Sequence, residues 1–186
     1  MTRTLMAALL TLGDPNTLSG GYLFHRRLAD LAPEVDARLT FASFPHRPFP
    51  LAILDAPRVF RLPQVVGADV LVLDSIAAAF AGPWLARRPP PAPLVGMLHQ
   101  PPGGIDYGPP RSTVQAVLDR LAYRRAERLL IASQALADEM VARGERRERL
   151  FVVPPGRDVA TAGGPPPADL RGQRPRQLER IPLAAP

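Results

Sequence analysis

Ala68-Asp69-Val70-Leu71-Val72-Leu73-Asp74-Ser75 runs from an acidic turn through four consecutive apolar residues to an acid and a hydroxyl. An unbroken apolar run of this length is the pattern of a strand buried on both faces, as in a parallel sheet, whereas a half-exposed antiparallel strand alternates. Asp74-Ser75 stands before Ile76-Ala77-Ala78-Ala79 and has the form of a helix N-cap, so the strand feeds straight into a helix. Five further apolar runs, 5–12, 37–44, 94–98, 128–132 and 150–153, alternate with helix-like segments. That alternation is the signature of a parallel sheet covered by helices. The expected fold is α/β, a Rossmann-like doubly wound parallel sheet in a single domain over residues 1–158. A Pro/Arg-rich disordered tail is expected over 159–186.

The helices are marked by caps and periodicity. The first begins after Asn16-Thr17-Leu18-Ser19-Gly20-Gly21, sets Phe24, Leu28 and Leu31 on one face and stops before Pro33. Ser112-x-x-Gln115 reads as a capping box, followed by Val114, Val117, Leu118, Leu121 and Ala122 at helical spacing. Ser133 is the candidate N-cap of a helix carrying Leu136, Met140 and Val141, with Gly144 placed to end it. Pro45, Pro48, Pro50, Pro57 and Pro63 restrict 44–67 to loop with short helical pieces. Beyond Gly156, large apolar residues are too few to offset the entropy of ordering.

Composition excludes several chemistries. A length of 186 residues with 46% hydrophobic content fits one domain with a proper core. The absence of cysteine removes disulfides, thiolate zinc sites and a thiol nucleophile. All 23 basic residues are Arg, and without Lys there is neither a Walker phosphate loop nor a Schiff base. Such a bias resembles genomic base composition, so the net charge of +6 is not read as a nucleic-acid footprint. The pairs Arg26-Arg27, Arg87-Arg88, Arg124-Arg125 and Arg146-Arg147 form either a solvated face or a surface for anionic lipid. The apolar N-terminus is short and lacks a small-x-small cleavage site, so it reads as a core strand. With no apolar run long enough to span a bilayer, the chain is expected to be cytoplasmic, with peripheral membrane contact left open.

Ligands of a parallel sheet sit beyond the carboxyl ends of the strands. The residues there are Gly13-Asp14 with Gly20-Gly21, Asp74-Ser75, His99-Gln100, Ser133 and Pro154-Pro155-Gly156. Ser19-Gly20-Gly21 at a helix start is either a tight turn or a set of backbone N–H groups open to an oxyanion. Gly-x-Gly-x-x-Gly is missing and no acid follows the second strand, which argues against NAD; Gly-x-Ser-x-Gly is missing too, which argues against an α/β serine hydrolase. His99 ends a strand beside the Gly/Pro-rich loop 100–110, either to touch a ligand or to bond a neighbouring backbone. His25 faces solvent beside Arg26-Arg27, or lies near the glycine loop if the helix start lines the cleft. His25, His46 and His99 are too dispersed to suggest a metal site, although folding can bring them together.

Four segments in this order resemble one family. They are Leu18-Ser19-Gly20-Gly21-Tyr22-Leu23-Phe24-His25, Ala68 through Ser75, Gly96-Met97-Leu98-His99-Gln100-Pro101, and Ala126-Glu127-Arg128-Leu129-Leu130-Ile131-Ala132-Ser133. Val153-Pro154-Pro155-Gly156-Arg157-Asp158 follows, similar to the family's interdomain junction. The family is that of the retaining GT-B glycosyltransferases of the group 1/family 4-like type, and the resemblance is to its N-terminal, acceptor-side domain. It implies transfer of a sugar from a nucleotide-sugar to the hydroxyl of a glycan or lipid acceptor. No cofactor, metal or protein nucleophile is implied. Gly20 and Gly21 would face the donor diphosphate and the acceptor, His99 would line the cleft near the transferred sugar, and Asp106 and Tyr107 would contact acceptor. The family's second domain supplies a basic pair and a Glu-x7-Glu element, and neither follows Asp158. The chain is therefore expected to be incomplete alone, needing a separately encoded donor-binding domain, or to be a non-catalytic acceptor-binding module or truncated remnant. A small-molecule-binding α/β domain unrelated to sugars is the third reading.

Overall fold

The computed structural model describes residues 3–16, 20–105 and 107–156, and the tail expected at 159–186 lies outside them. Met1–Pro155 form one compact unit; of the remainder, Gly156–Pro186, only Gly156 is described. The apolar runs became strands within a residue of their expected limits: β1 (Leu5–Leu12), β2 (Ala37–Phe44), β3 (Val70–Asp74), β4 (Leu94–Leu98), β5 (Arg128–Ile131) and β6 (Leu150–Val152). They form one sheet in the order β2-β1-β3-β4-β5-β6, with every neighbouring pair parallel. The helices are α1 (Gly20–Leu31), α2 (Ala56–Val59), α3 (Pro63–Val66), α4 (Ser75–Arg87), α5 (Pro109–Tyr123) and α6 (Gln134–Ala142). The proline-rich stretch contributes only α2, α3 and a 3-10 turn at Leu51–Asp55, as its prolines predict.

The two faces of the sheet are covered unequally. Leu10, Leu71, Leu73, Leu129 and Ile131 join one buried cluster with Ala77, Ala81 and Leu85 of α4, Ala122 of α5 and Met140 of α6. The alternate residues, among them Leu9, Val72, Val95 and Leu130, line with Leu28 and Leu31 of α1 an apolar hollow of about 750 Å³. This explains why the 70–73 run is apolar throughout yet only Leu71 and Leu73 are fully buried, while Val70 and Val72 are half-buried.

Between α4 and α5 the backbones come close at Gly82, where a Cβ would lie 2.1 Å from the Leu118 carbonyl oxygen. Arg125 then donates to the Leu85 and Ala86 carbonyls at the end of α4, satisfying acceptors the helix leaves open. The capping-box reading of Ser112 is corrected. Helix α5 starts three residues earlier, at Pro109 after an extended Gly108, and the Ser112 hydroxyl turns back to the Pro109 carbonyl. Proline suits a first helical position because its missing N–H would be unpaired there anyway. The expected stripe is rotated as well: Val114 and Val117 are exposed, while Gln115, Asp119, Ala122 and Tyr123 are buried. Ser133 caps α6 by accepting from Leu136 N–H, and Gly144 follows its end at Arg143. Among the described residues no helix is long and apolar enough to cross a membrane.

Candidate functional site

From β1 the chain crosses through α1 to β2 on one side, then returns past β1 to β3 on the other. Such a reversal opens a crevice at the carboxyl ends of the two central strands, because their connections leave in opposite directions. Polar side chains collect there in an otherwise apolar interior. Thr11 near the end of β1, Asp74 at the end of β3 and His25 on α1 are at most 1% exposed, and His99, just past β4, is half-buried.

Asp74 is the hub. Its Oδ1 accepts from the Ile76 N–H at 3.3 Å, which caps α4, and from the Ser75 hydroxyl at 3.3 Å. Its Oδ2 accepts from the Thr11 hydroxyl at 3.0 Å and stands 3.7 Å from His25 Nε2. The Ser75 hydroxyl in turn accepts from the His99 N–H at 3.4 Å, tying the start of α4 to the end of β4. The His25 and His99 rings lie 5.7 Å apart between centroids, and Phe24 meets His99 edge-on at 5.3 Å. Burial lowers the His25 pKa, with His99 adding to that effect and the Asp74 carboxylate opposing it, so the imidazole is neutral at neutral pH. Tyr22 donates to the Leu12 carbonyl, and burial first, then Asp74 and Asp14, raise its phenol pKa.

In front of this cluster are two hollows. One, of about 340 Å³, is lined by His46, Phe49, Gln100, Tyr107, Arg111 and Gln115 among others. The other, of about 470 Å³, lies against Gly13, Asp14, His46 and Arg58. The Arg111 guanidinium sits 3.4 Å from the centre of the Tyr107 ring and 5.1 Å from that of Phe49, a cation–π arrangement that orders the rim. The loop after β4 is held from below. Gly103 N–H donates to Asp119 Oδ2 at 2.8 Å, and Gly103 has φ +99°, with the position of a missing Cβ 2.7 Å from the Ser112 carbonyl oxygen. Burial raises Asp119 to a pKa of about 7, against the pull of the Gly103 N–H.

Gly20 is the first residue of α1, and Gly21 is exposed with nothing within 4 Å of where a Cβ would lie. Among the described residues, packing does not demand a glycine at 21. His99 stands at the crevice, Tyr107 at its rim, and Asp106 lies outside the described residues. The solvent-facing reading of His25 is corrected, since the ring is 1% exposed beneath the crevice. Folding joins two of the three histidines, with Asp74, while His46 lines the hollows in front. Sequence reasoning missed Gln115 and Asp119. Gln115, Asp119, Ala122 and Tyr123 share one helical face, but the apolar stripe of Val114 and Val117 beside it is the stronger signal in the sequence.

The family model for the glycosyl transferase 4-like domain matches residues 3–156. Among solved structures, the lipopolysaccharide outer core galactosyltransferase WaaB in its apo form superposes with a TM-score of 0.60 at 12% identity, over 88% of this chain and 50% of that one. Anabaena HepE in complex with UDP gives 0.53 at 20% identity, over 82% and 45%. The same protein with UDP and glucose gives 0.52 at 21%, over 81% and 45%. The chain spans about half the length of these structures, and at such identities the likeness is one of fold. No curated protein matches by sequence. The family match over 3–156, on a six-stranded parallel sheet equivalent to half of a GT-B chain, makes this protein a member of the glycosyl transferase 4-like family.

Proposed function

We propose that residues 3–156 are the acceptor-side half of a retaining glycosyltransferase. It transfers a sugar from a nucleotide-sugar to an acceptor hydroxyl when a donor-binding half closes over the crevice. The observation that carries this reading is the set of polar groups at the strand ends, beside the start of α1 at Gly20-Gly21, where nothing described stands within 4 Å of a Cβ position on Gly21. A helix start favours a diphosphate, because its backbone N–H groups and the helix dipole both attract anions. His99 would meet the transferred sugar, and Tyr107, with Asp106 beside it, the acceptor. HepE was solved with UDP and with glucose, which supports the same ligand classes here. Charge developing on the leaving diphosphate needs fixed positive groups. The amides of one helix supply part of that charge, and the opposing half would supply the rest.

Calorimetry on the purified chain, against a panel of nucleotide-sugars and of acceptor glycans, tests the proposal. Acceptor binding with weak donor binding is expected, and turnover on adding a donor-binding half. Strong donor binding with unaided sugar release would overturn the division of labour, and binding of neither class would remove the glycosyltransferase reading. A second reading is a non-catalytic acceptor-binding module. It predicts acceptor binding and no turnover even with the donor half supplied.

A further inference from the structure

We propose that the hollow between the 46–49 loop and the start of α5 takes an acidic group of the acceptor, a phosphate or carboxylate carried on a sugar, and that Arg111 selects it. The inference rests on the acceptor reading of the crevice and adds the acceptor's charge. At about 340 Å³ the hollow falls within the size of small-ligand sites, about 300–1,000 Å³. Two arginines line it, and among the described residues no carboxylate does. Arg47 is already paired, its Nε 2.8 Å from Asp55 Oδ2. Arg111 makes no ion pair or hydrogen bond with any described residue, only its contacts with the Tyr107 and Phe49 rings. Stacking occupies the face of a guanidinium and leaves its in-plane N–H groups free, the fork that fits a carboxylate or phosphate through two parallel bonds. Arg111 also stands in the first turn of α5, where a cation is unfavourable to the helix itself and the helix dipole adds to the pull on an anion.

A second group points the same way. Gln115 is 6% exposed, lines the hollow, and has no hydrogen-bond partner for its amide among the described residues. A buried amide left unpaired costs stability, so its place calls for a partner from outside the chain. Arg111 and Gln115 are four residues apart on α5 and therefore share one face of it. The amide nitrogens of Gln115 and of Gln100, from the loop after β4, lie 3.5 and 3.6 Å from where a Gly104 Cβ would stand, and the Tyr107 ring lies 3.5 Å from the same point. Two amides from different elements thus converge beside the ring on which Arg111 is stacked. An ionised phosphate or carboxylate offers acceptors alone, and a guanidinium offers donors alone. With the amides as further donors and no carboxylate opposing, the set suits an anion better than a neutral sugar.

Calorimetry on the full chain tests this with glucose 6-phosphate, glucuronate and glucose as probes. At least one acidic probe is expected to bind about 10-fold or more tightly than glucose, the effect of one charge-assisted pair, and the stronger of the two identifies the group. Arg111→Gln, at an exposed position, should remove that preference and leave the fold intact. Arg88→Gln is the control, since Arg88 is stacked on Trp84 at 4.6 Å and does not line the hollow; it should bind as the wild type does. Gln115→Leu should weaken the acidic probe while the melting temperature holds or rises, because an unpaired buried amide has been deleted. A fall in melting temperature would assign that amide to the fold and remove it from the site. Equal binding of the three sugars, or a preference that survives Arg111→Gln or is lost in Arg88→Gln, overturns the proposal. If neutral glycans bind and acidic ones gain nothing, the acceptor reading stands without it; if no sugar binds, both fail.

Discussion

Each wall of the crevice sets a buried carboxylate beside a glycine, and the two walls use them in opposite ways. On the α1/β3 wall, Asp74 has donors on both oxygens, and Gly21 has open space where a side chain would go. On the α5 wall, Asp119 has backbone donors alone, the Gly103 N–H on Oδ2 and Ala79, while Gly103 has positive φ and no room for a Cβ. A carboxylate with donors on both oxygens can be a fixed structural hub. One whose burial outweighs its backbone donors is held at the expense of its own ionisation. The glycines divide likewise: Gly103 serves the fold, and Gly21 leaves its space to something outside the chain.

The largest test breaks the hub. Asp74→Ala removes the cap of α4 and strands the Thr11 hydroxyl in the core, with an expected loss of about 3–5 kcal/mol. Asp74→Asn, which keeps the cap acceptor, should lose about half as much. Urea denaturation of both variants decides it, and a loss below about 1 kcal/mol for the alanine variant would deny Asp74 its central place.

The second test sharpens the contrast through pH. Asp119 titrates near 7 in the fold, against an ordinary value of 3.8. At pH below about 4 the group is protonated in both folded and unfolded chains, so no penalty applies. As pH rises toward 7 the unfolded chain ionises first, and stability falls through that window by about 2–4 kcal/mol. Asp119→Asn cannot ionise and still accepts from Gly103 N–H. The difference in stability between variant and wild type should therefore shift in the variant's favour from pH 4 to pH 7.5, then level off. A difference that is flat with pH would mean that Asp119 is ionised throughout.

The sheet was legible because strands buried inside a parallel sheet must be apolar at nearly every position, and 70–73 satisfies that almost alone. The cap at Asp74 was legible for the same local reason. The rotation of α5 was not. Val114 and Val117 mark an apolar stripe, yet the face that turns inward contains Gln115 and Asp119, chosen by the distant loop at Gly103. His25 was hidden similarly, since its neighbours Arg26 and Arg27 point to solvent and its partner Asp74 is 49 residues away. Pairings made by topology leave little trace in local sequence.

Gly103→Ala should lose about 2 kcal/mol, combining the cost of a side chain at positive φ with the clash against the Ser112 carbonyl. It also draws the Gly103 N–H away from Asp119, and with that pull on ionisation gone the pH window of the second test should widen. A circular-dichroism melt at pH 5 and pH 7.5 measures both effects, and a variant with unchanged stability would show that the loop is not anchored here.

The smallest change in stability belongs to Gly21→Ala, and its sign is the informative part. The new Cβ meets nothing within 4 Å and lies in the first turn of α1, where alanine is the better helix former. Stability should therefore rise by up to about 1 kcal/mol. If the space over Gly21 is reserved for a diphosphate or an acceptor, the same methyl should weaken that ligand's binding in calorimetry. The fold then gains while the site loses, the reverse of Gly103→Ala, where fold and loop fail together. A Gly21→Ala chain that gains stability and binds as before would mean that the space is merely empty.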